Sequence, residues 1–359
     1  MSQTSVVEQI LDLARWAPSG DNSQPWRFEL INDRQFVIHG RDTREDCVYD
    51  LDGRPSQMSL GALIETATIA ATGHGFELQC ARRKDSAETA LIFDARLVQR
   101  QELLPNPLIG AIPLRRVQRG PMQTRPLSSL EMQRLEAAVG PDHTLKCFCS
   151  WPERLRWAAL LWRNAGVRLR LPEAFDLHRR IIQWGARYSR DRIPDQALGA
   201  DKLTLAMMRP AMASWERLDF LNTWLGGTLA PRLTMDWIPA LACAGHIAVA
   251  APKPMTTVDD YVAAGRAVQR FWLTATQLGL QHQPAITPLV FARYIREGRT
   301  FTRRPTVAAQ ALKMTSALDE LLSGETASTV WLGRLGAGNP ASARSERLTL
   351  GELICVGSR

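Results

Sequence analysis

The sequence predicts a mixed helix-and-strand fold laid out twice, in unequal copies, along 359 residues. Two observations predict it. A helix-start signature, Ser5 with Glu8, recurs as Ser128 with Glu131, and the same shift places Ala14 on Ala137 and Pro18 on Pro141 without a gap. Farther on, Gly61 to Gly75 and Gly265 to Gly279 have the same separation, with Ala71 opposite Ala275, Thr72 opposite Thr276 and Phe76-Glu77 opposite Leu280-Gln281. Helical periodicity alone can produce one partial match, but two in the same order favour duplication.

Taken in order, Val6, Ile10, Leu13, Ala14 and Ala17 recur at helical spacing behind Ser5, and Pro18 ends that helix. Trp26 to Ile31, the turn Asn32-Asp33 and Gln35 to His39 read as a β-hairpin. A polar connection runs through Arg54-Pro55. Ser59 to Thr72 is then a buried type of helix, closed by Gly73 and Gly75. Phe76 to Cys80 and Ala90 to Phe93 read as strands.

Near Pro105 to Pro113 the plan restarts. Met132, Leu135, Ala138 and Val139 share one helix face, Gly140-Pro141 end it, and the chain enters a strand, Leu145 to Phe148, almost at once. Between Trp151 and Trp237 this second copy carries a helical insertion, broken by the polar segment Tyr188 to Asp201. Met207, Met208, Met212, Trp215, Leu218, Phe220 and Leu221 either fill a core there or cover a flat apolar ligand. Gly245 to Ala250 is a central strand, and a further insertion, Leu289 to Ser328, precedes the last strand, Thr329 to Leu332.

Composition narrows the function classes. With 45% hydrophobic and 22% charged residues the chain reads as an ordinary soluble globular protein. No apolar run approaches the roughly 20 residues of a membrane span, and Met1 to Ala17 is amphipathic without a signal-peptide core, so a cytoplasmic location is expected. The formal charge of +8 comes from arginine, since the lysines are Lys84, Lys146, Lys202, Lys253 and Lys313 alone. The arginines are scattered among acids, which argues against a nucleic-acid partner and for a few anion-binding positions. Cys47, Cys80, Cys147, Cys149, Cys243 and Cys355 form no metal-ligand spacing or disulfide framework, and Cys147 and Cys149 share a strand face. Gly336 to Ala341 fits a dinucleotide glycine pattern, but Pro340 and the few residues left argue against the helix it needs.

The most informative stretch is Ala17-Pro18-Ser19-Gly20-Asp21-Asn22-Ser23-Gln24-Pro25-Trp26. A loop of hydroxyls, amides and backbone N–H groups between a helix and a strand suits a planar polar ligand, and the two prolines limit its freedom. The string closely resembles the A-P-S-x-x-N-x-Q-P-W loop of the nitroreductase family, FMN-dependent oxidoreductases with an α+β fold. In that family each FMN lies at a dimer interface, the loop coming from one subunit and the phosphate-binding arginines from the other. The resemblance therefore implies an α+β nitroreductase-like fold in which two fused halves form a pseudo-dimer, 1–112 and 113–359, with the helical insertion at about 151–236.

One FMN per chain is then expected, with Pro18, Ser19, Gly20, Asn22 and Gln24 contributed by the first half. Arg115 and Arg119 of Leu114-Arg115-Arg116-Val117-Gln118-Arg119 resemble the family's R-x-S-x-R phosphate clamp, with Val117 replacing its serine. Arg344 and Arg347 resemble its closing basic segment, and Ile286 and Thr287 the segment whose main chain faces flavin N5. The loop after Pro141 lacks the binding residues, so the mirror site is expected to be dead. A cation or amide that the family often places ahead of the central strand is missing from Trp237 to Leu241. The implied activity passes hydride from NAD(P)H to flavin N5 and on to a nitro, quinone or other unsaturated acceptor, with no protein acid or base assigned and no metal. The alternatives are a flavin-sequestering protein with a lidded site and a dedicated flavin dehydrogenase of a tailoring pathway.

Overall fold

In the computed structural model the chain forms two four-stranded antiparallel sheets that meet through a pair of crossed helices. The structure describes residues 5–355, so the start of the Met1–Ala17 segment and the outer bounds of the two expected halves lie outside it. Among the described residues, no helix is long and apolar enough to cross a membrane.

Helix α1, Val6–Ala14, starts as its capping box dictates: the Ser5 hydroxyl accepts from the Glu8 N–H at 3.2 Å, and the Glu8 carboxylate accepts from the Ser5 N–H at 2.7 Å. It ends before Pro18, and single turns carry Trp16 and Ala17 onward. Strands β1, Trp26–Asn32, and β2, Gln35–Gly40, form the hairpin. Helix α2, Arg54–Thr72, begins earlier than Ser59 because Gly53 turns the chain at a φ of 74° and Pro55 suits a first helical turn. Strands β3, Phe76–Arg82, and β4, Ile92–Gln99, complete the first sheet in the order β1-β2-β4-β3. Alternate side chains, among them Trp26, Phe28, Phe36, Ile38, Phe93 and Leu97, enter one core with Ile10, Leu11, Leu63 and Ala67 from the two helices.

The later elements are α3, Ser129–Val139, capped by Ser128 and Glu131 as α1 is by Ser5 and Glu8, then β5, Thr144–Phe148. The insertion contains α4, Trp151–Arg168, and α5, Pro172–Ile181, then two-residue strands β6, Ile182–Gln183, β7, Tyr188–Ser189, and β8, Ile193–Pro194. It goes on through α6, Lys202–Ala211, α7, Trp215–Trp224, α8, Leu229–Pro231, a π-helical stretch Arg232–Trp237, and α9, Ile238–Leu241. Then come β9, Gly245–Ala250, α10, Val258–Gln277, β10, Leu280–Pro284, α11, Thr287–Arg296, and α12, Pro305–Leu321. Last are β11, Thr329–Ala337, β12, Arg344–Ser345, and α13, Leu350–Leu353. The second sheet has the order β5-β9-β11-β10, which follows the first position for position.

Helices α2 and α10 cross at their glycines. A Cβ on Gly61 would lie 2.0 Å from the Val262 carbonyl oxygen, and one on Gly265 would lie 2.0 Å from that of Met58. Each glycine thus meets the residue three before the other, a reciprocal contact. Buried polar groups pin the crossing: Gln269 donates to the Thr66 hydroxyl at 2.9 Å, and Glu65 accepts from Arg266 at 2.7 Å.

Three details differ from the sequence pattern. Strand β11 runs past Leu332 to Ala337, so Gly336 and Ala337 pair with Gln281 and Leu280, and the dinucleotide-like glycines are largely strand end. In the Met and aromatic run, Met208, Met212, Trp215 and Leu218 join a small core with Phe175, Ile182, Ile193 and Leu198, while Met207 and Phe220 face solvent. Finally, Leu348, Leu350 and Leu353 pack into the first core, and the Cys355 N–H donates to the Phe28 carbonyl at 2.8 Å, so the end of the chain returns to the first sheet.

Candidate functional site

The loop after α1 is held in an unusual backbone state. Asp21, Asn22 and Gln24 have φ of 52°, 61° and 46°, left-handed values that Asp and Asn tolerate and Gln rarely adopts. Hydrogen bonds offset the strain. The Gln24 N–H donates to the Ser19 hydroxyl at 3.0 Å, its amide donates to the Arg190 carbonyl at 2.8 Å, and its side-chain oxygen accepts from the Leu348 N–H at 2.9 Å. Asn22 donates to the Arg190 carbonyl at 3.1 Å and accepts from Arg347 at 2.8 Å. Both amides are buried, whereas Gly20 is exposed and Pro18 and Ser19 are half-buried.

Three arginines converge where this loop leaves the helix. Arg115 donates to the Trp16 carbonyl at 2.9 Å and lies over the Trp272 ring at 4.5 Å. Arg347 donates twice to the Ala17 carbonyl, at 3.0 and 2.8 Å. Arg344 donates to the Pro113 carbonyl at 2.9 Å and lies over the Trp16 ring at 4.5 Å. None of the three has a carboxylate at ion-pair distance among the described residues. The Nε groups of Arg115 and Arg344 are buried without an acceptor. Burial, then Arg347 and Arg344, push the Arg115 pKa well below its usual value, and burial with Arg344 and Arg15 pushes Arg347 down to about 9. Like charges crowded into a poorly hydrated space repel unless an anion joins them.

Arg119 does not join this cluster. Arg334, itself buried, grips the Gly120 carbonyl at 2.8 Å and the Pro239 carbonyl at 3.1 Å, while Gly199 packs against the Arg119 Cβ. That anchoring sends the Arg119 side chain to the Ala197 carbonyl, at 2.8 Å, on the Asp21 side of the loop. Val117, in the position of the family serine, forms a bridge to His282 of β10. His282 is structural: its Nδ1 faces the Arg334 carbonyl at 3.1 Å, its Nε2 accepts from Trp331 at 3.1 Å, and burial lowers its pKa to about 3.

The other end of the site lies against α4. Thr287 opens α11 just after Ile286, and its hydroxyl accepts from the Asn164 amide at 2.8 Å. One turn along α4, Arg168 donates to Asp236 at 3.0 Å. The Asn164 Oδ1 and the Arg168 Nε are buried and unpartnered. Nearby, the Tyr49 hydroxyl and His178 Nε2 are 3.1 Å apart, and burial lowers the His178 pKa to about 4. The sequence reading singled out none of Asp21, Tyr49, Asn164, Arg168, His178 or Arg334. The available signal was the buried face of α4, Trp157, Leu160, Leu161 and Ala165, which Asn164 and Arg168 interrupt with polar groups. Arg168 and Arg334 reach Asp236 and the Pro239 carbonyl, at the edge of the cation-free stretch Trp237 to Leu241, from other elements.

Residues 3–52, which contain the whole strained loop, match the family model described as the nitroreductase family. The chain carries a nitroreductase-family segment. Among solved structures, a nitroreductase with bound FMN from Bacteroides fragilis NCTC 9343 aligns over 70% of this chain and 100% of its own, at 13% identity and a TM-score of 0.35. No curated protein matches the chain. Within the nitroreductase-like segment, Asn22 faces the arginine cluster, and the Asp21 carboxylate lies 4.0 Å from the Cys47 thiol.

Proposed function

We propose that the chain is an FMN-binding oxidoreductase of nitroreductase type, with one flavin held between two fused nitroreductase-like halves. The observation that carries this reading is the convergence of Arg115, Arg344 and Arg347 on the start of the nitroreductase-like loop with no counter-ion among the described residues. The residues fit the group. A phosphate dianion would accept the two guanidinium N–H groups left unmade and relieve the mutual repulsion. The ring would lie toward Thr287 and Asn164, whose free Oδ1 offers an acceptor to a ring N–H. FMN, when bound, supplies hydride and electron transfer. The chain's own groups orient the ligand and exclude water: the loop from Pro18 to Gln24 on one side, and α4 with the 182–198 segment on the other. The two-halves reading is supported by the matching strand orders and the reciprocal glycine crossing.

The electron donor in this reading is NAD(P)H and the acceptor a quinone, nitro compound or other unsaturated molecule. A second reading, flavin sequestration, is favoured by the way the Arg190 carbonyl ties down both Asn22 and Gln24, which closes the insertion over the loop. Absorbance of the purified protein and NAD(P)H consumption with a quinone decide between them. About one FMN per chain with turnover supports the oxidoreductase. Bound flavin that neither NADH nor NADPH bleaches supports sequestration, and a colourless protein that takes up no added FMN overturns both.

A further inference from the structure

We propose that the outer face of the helical insertion, from Phe220 to Ile238, docks on an anionic lipid surface. The inference does not rest on the flavin reading. The face is one apolar strip. Phe220 and Trp224 stand four residues apart on α7, with Trp224 74% exposed, and Leu225 follows at 66%. Gly226 then turns the chain at a φ of 64°, and the Leu229 Cδ1 lies 3.0 Å from the place of a Gly226 Cβ, so the next helix starts against the end of α7. Leu229 and Leu233, four apart, carry the strip on. Ile238 comes five residues later and keeps to the same side because Arg232–Trp237 is π-helical, with hydrogen bonds that reach five residues.

These helices are fixed from their inner side. On α7, Asn222 donates to the Leu169 carbonyl at 2.9 Å and Asp219 accepts from Arg304 at 2.7 Å. On the π-helical stretch, Arg232 donates to the Trp162 carbonyl at 3.1 Å and lies over the Trp162 ring at 3.9 Å. Asp236 accepts from Arg168, and Trp237 packs with Ala158, Leu161 and Ala285. Phe220, Trp224, Leu225, Leu229, Leu233 and Ile238 belong to none of the hydrophobic cores formed by the described residues. Exposed apolar side chains gathered on one face, with no part in holding it, mark a surface that another body covers.

Charge selects the occupant. Arg217 lies three residues before Phe220, and its donation to the Pro210 carbonyl at 3.1 Å draws the end of α6, with exposed Arg209, to the same helix. Lys202, Arg209 and Arg217 are exposed and have no carboxylate at ion-pair distance among the described residues. Of the acids from 202 to 238, Asp219 and Asp236 are engaged by Arg304 and Arg168, which leaves Glu216. Aromatic and leucine side chains rimmed by arginines suit the boundary of an anionic bilayer, where rings take the headgroup level and cations meet lipid phosphate. A second copy of the chain suits the face less well, because a two-fold contact sets the strip on itself and brings Arg209 and Arg217 of both copies together. Helix α7, with 10 residues, is about 15 Å long, half the hydrocarbon thickness, so it lies on the lipid and does not span it.

The test is sedimentation of the full-length protein with vesicles of phosphatidylcholine, made with or without phosphatidylglycerol. The wild type should bind the vesicles that contain phosphatidylglycerol, bind those of phosphatidylcholine alone about 10-fold or more weakly, and detach as salt rises. Trp224→Ser with Leu225→Ser should weaken partitioning by about 10-fold or more. Arg209→Gln with Arg217→Gln should weaken it by about the same factor, on the anionic vesicles alone. All four side chains are exposed, so both double variants should unfold at the wild-type temperature, which separates these losses from misfolding. Brominated acyl chains in the anionic vesicles should quench the tryptophan fluorescence of the wild type, and Trp224→Phe should remove most of that quenching. A wild type that binds neither vesicle, partitioning that Trp224→Ser with Leu225→Ser leaves unchanged, or quenching that Trp224→Phe leaves unchanged would overturn the proposal. So would a dimer in sedimentation velocity that Trp224→Ser with Leu225→Ser dissolves, because a second copy then covers the strip.

Discussion

Arg115 is bound to the protein by one hydrogen bond, to the Trp16 carbonyl, and by its position over Trp272, yet it lies beside the buried guanidinium of Arg347 and the half-buried one of Arg344. Replacing it with Met keeps the packing on Trp272 and removes one of three repelling charges, so two effects of opposite sign are expected. FMN affinity should fall by roughly 10- to 100-fold, the worth of about 1.5–3 kcal/mol for a charged hydrogen bond. The flavin-free protein should unfold at the same temperature or higher, because nothing balances the charge there. Titration with FMN and thermal unfolding with and without it measure both, and a large loss of flavin-free stability would refute the anion-site assignment. At this scale the sequence was legible wherever a residue lay in a long motif: Asn22, Gln24, Arg115, Arg344 and Arg347 come together. Arg119 was not, because the direction of a side chain in an extended segment depends on what anchors the backbone, here Arg334 from a distant strand. Asn164 and Arg168 belong to no motif, and only the packing of α4 sets them against Thr287 and Asp236.

Among the elements, the α2–α10 crossing carries the most specific energetic claim. Gly61→Ala or Gly265→Ala places a methyl 2.0 Å from a carbonyl oxygen of the facing helix, a backbone atom that cannot rotate away. The helices must separate, at a cost of about 1–3 kcal/mol or more for such overpacking. Gly351→Ala in α13, where a Cβ meets open space, should instead be neutral or stabilising by up to about 1 kcal/mol. Urea unfolding of the three variants tests this, and equal stability of all three would refute the close crossing. The glycine echo was readable in the sequence as a repeat, but its meaning was not: reciprocity between Gly61 and Val262, and between Gly265 and Met58, is a property of the pair. The start of α2 was misplaced for a local reason, since a left-handed Gly53 followed by Pro55 can open a helix as well as a polar connection.

At the scale of the whole molecule, acid sensitivity follows from where the histidines lie. His246 and His282 are buried and His178 is half-buried, and all three belong to the chain beyond residue 113. His246 stacks on Trp157 with its Nε2 2.9 Å from the Ala240 carbonyl, and burial lowers its pKa to about 3, as it lowers that of His282 to about 3 and of His178 to about 4. Folded-state pKa values below the unfolded value of 6.5 mean that the unfolded chain binds more protons between those limits. The stabilisation is therefore complete above the unfolded pKa and is lost as pH falls through the window toward the folded values. At about pH 5 each group costs about 2 kcal/mol, and the three together rival the stability of a domain. Asp21, Asp50 and Asp236 have the opposite sign, since their raised pKa values favour the fold at low pH, and they offset part of this loss. The urea midpoint should therefore drop steeply between about pH 7 and pH 5, and His246→Gln, which keeps a donor for the Ala240 carbonyl, should flatten the drop. A midpoint that stays level over that range would mean that these imidazoles accept protons in place, and that the second sheet is more open to water than its packing around Trp157, Phe271 and Trp331 allows.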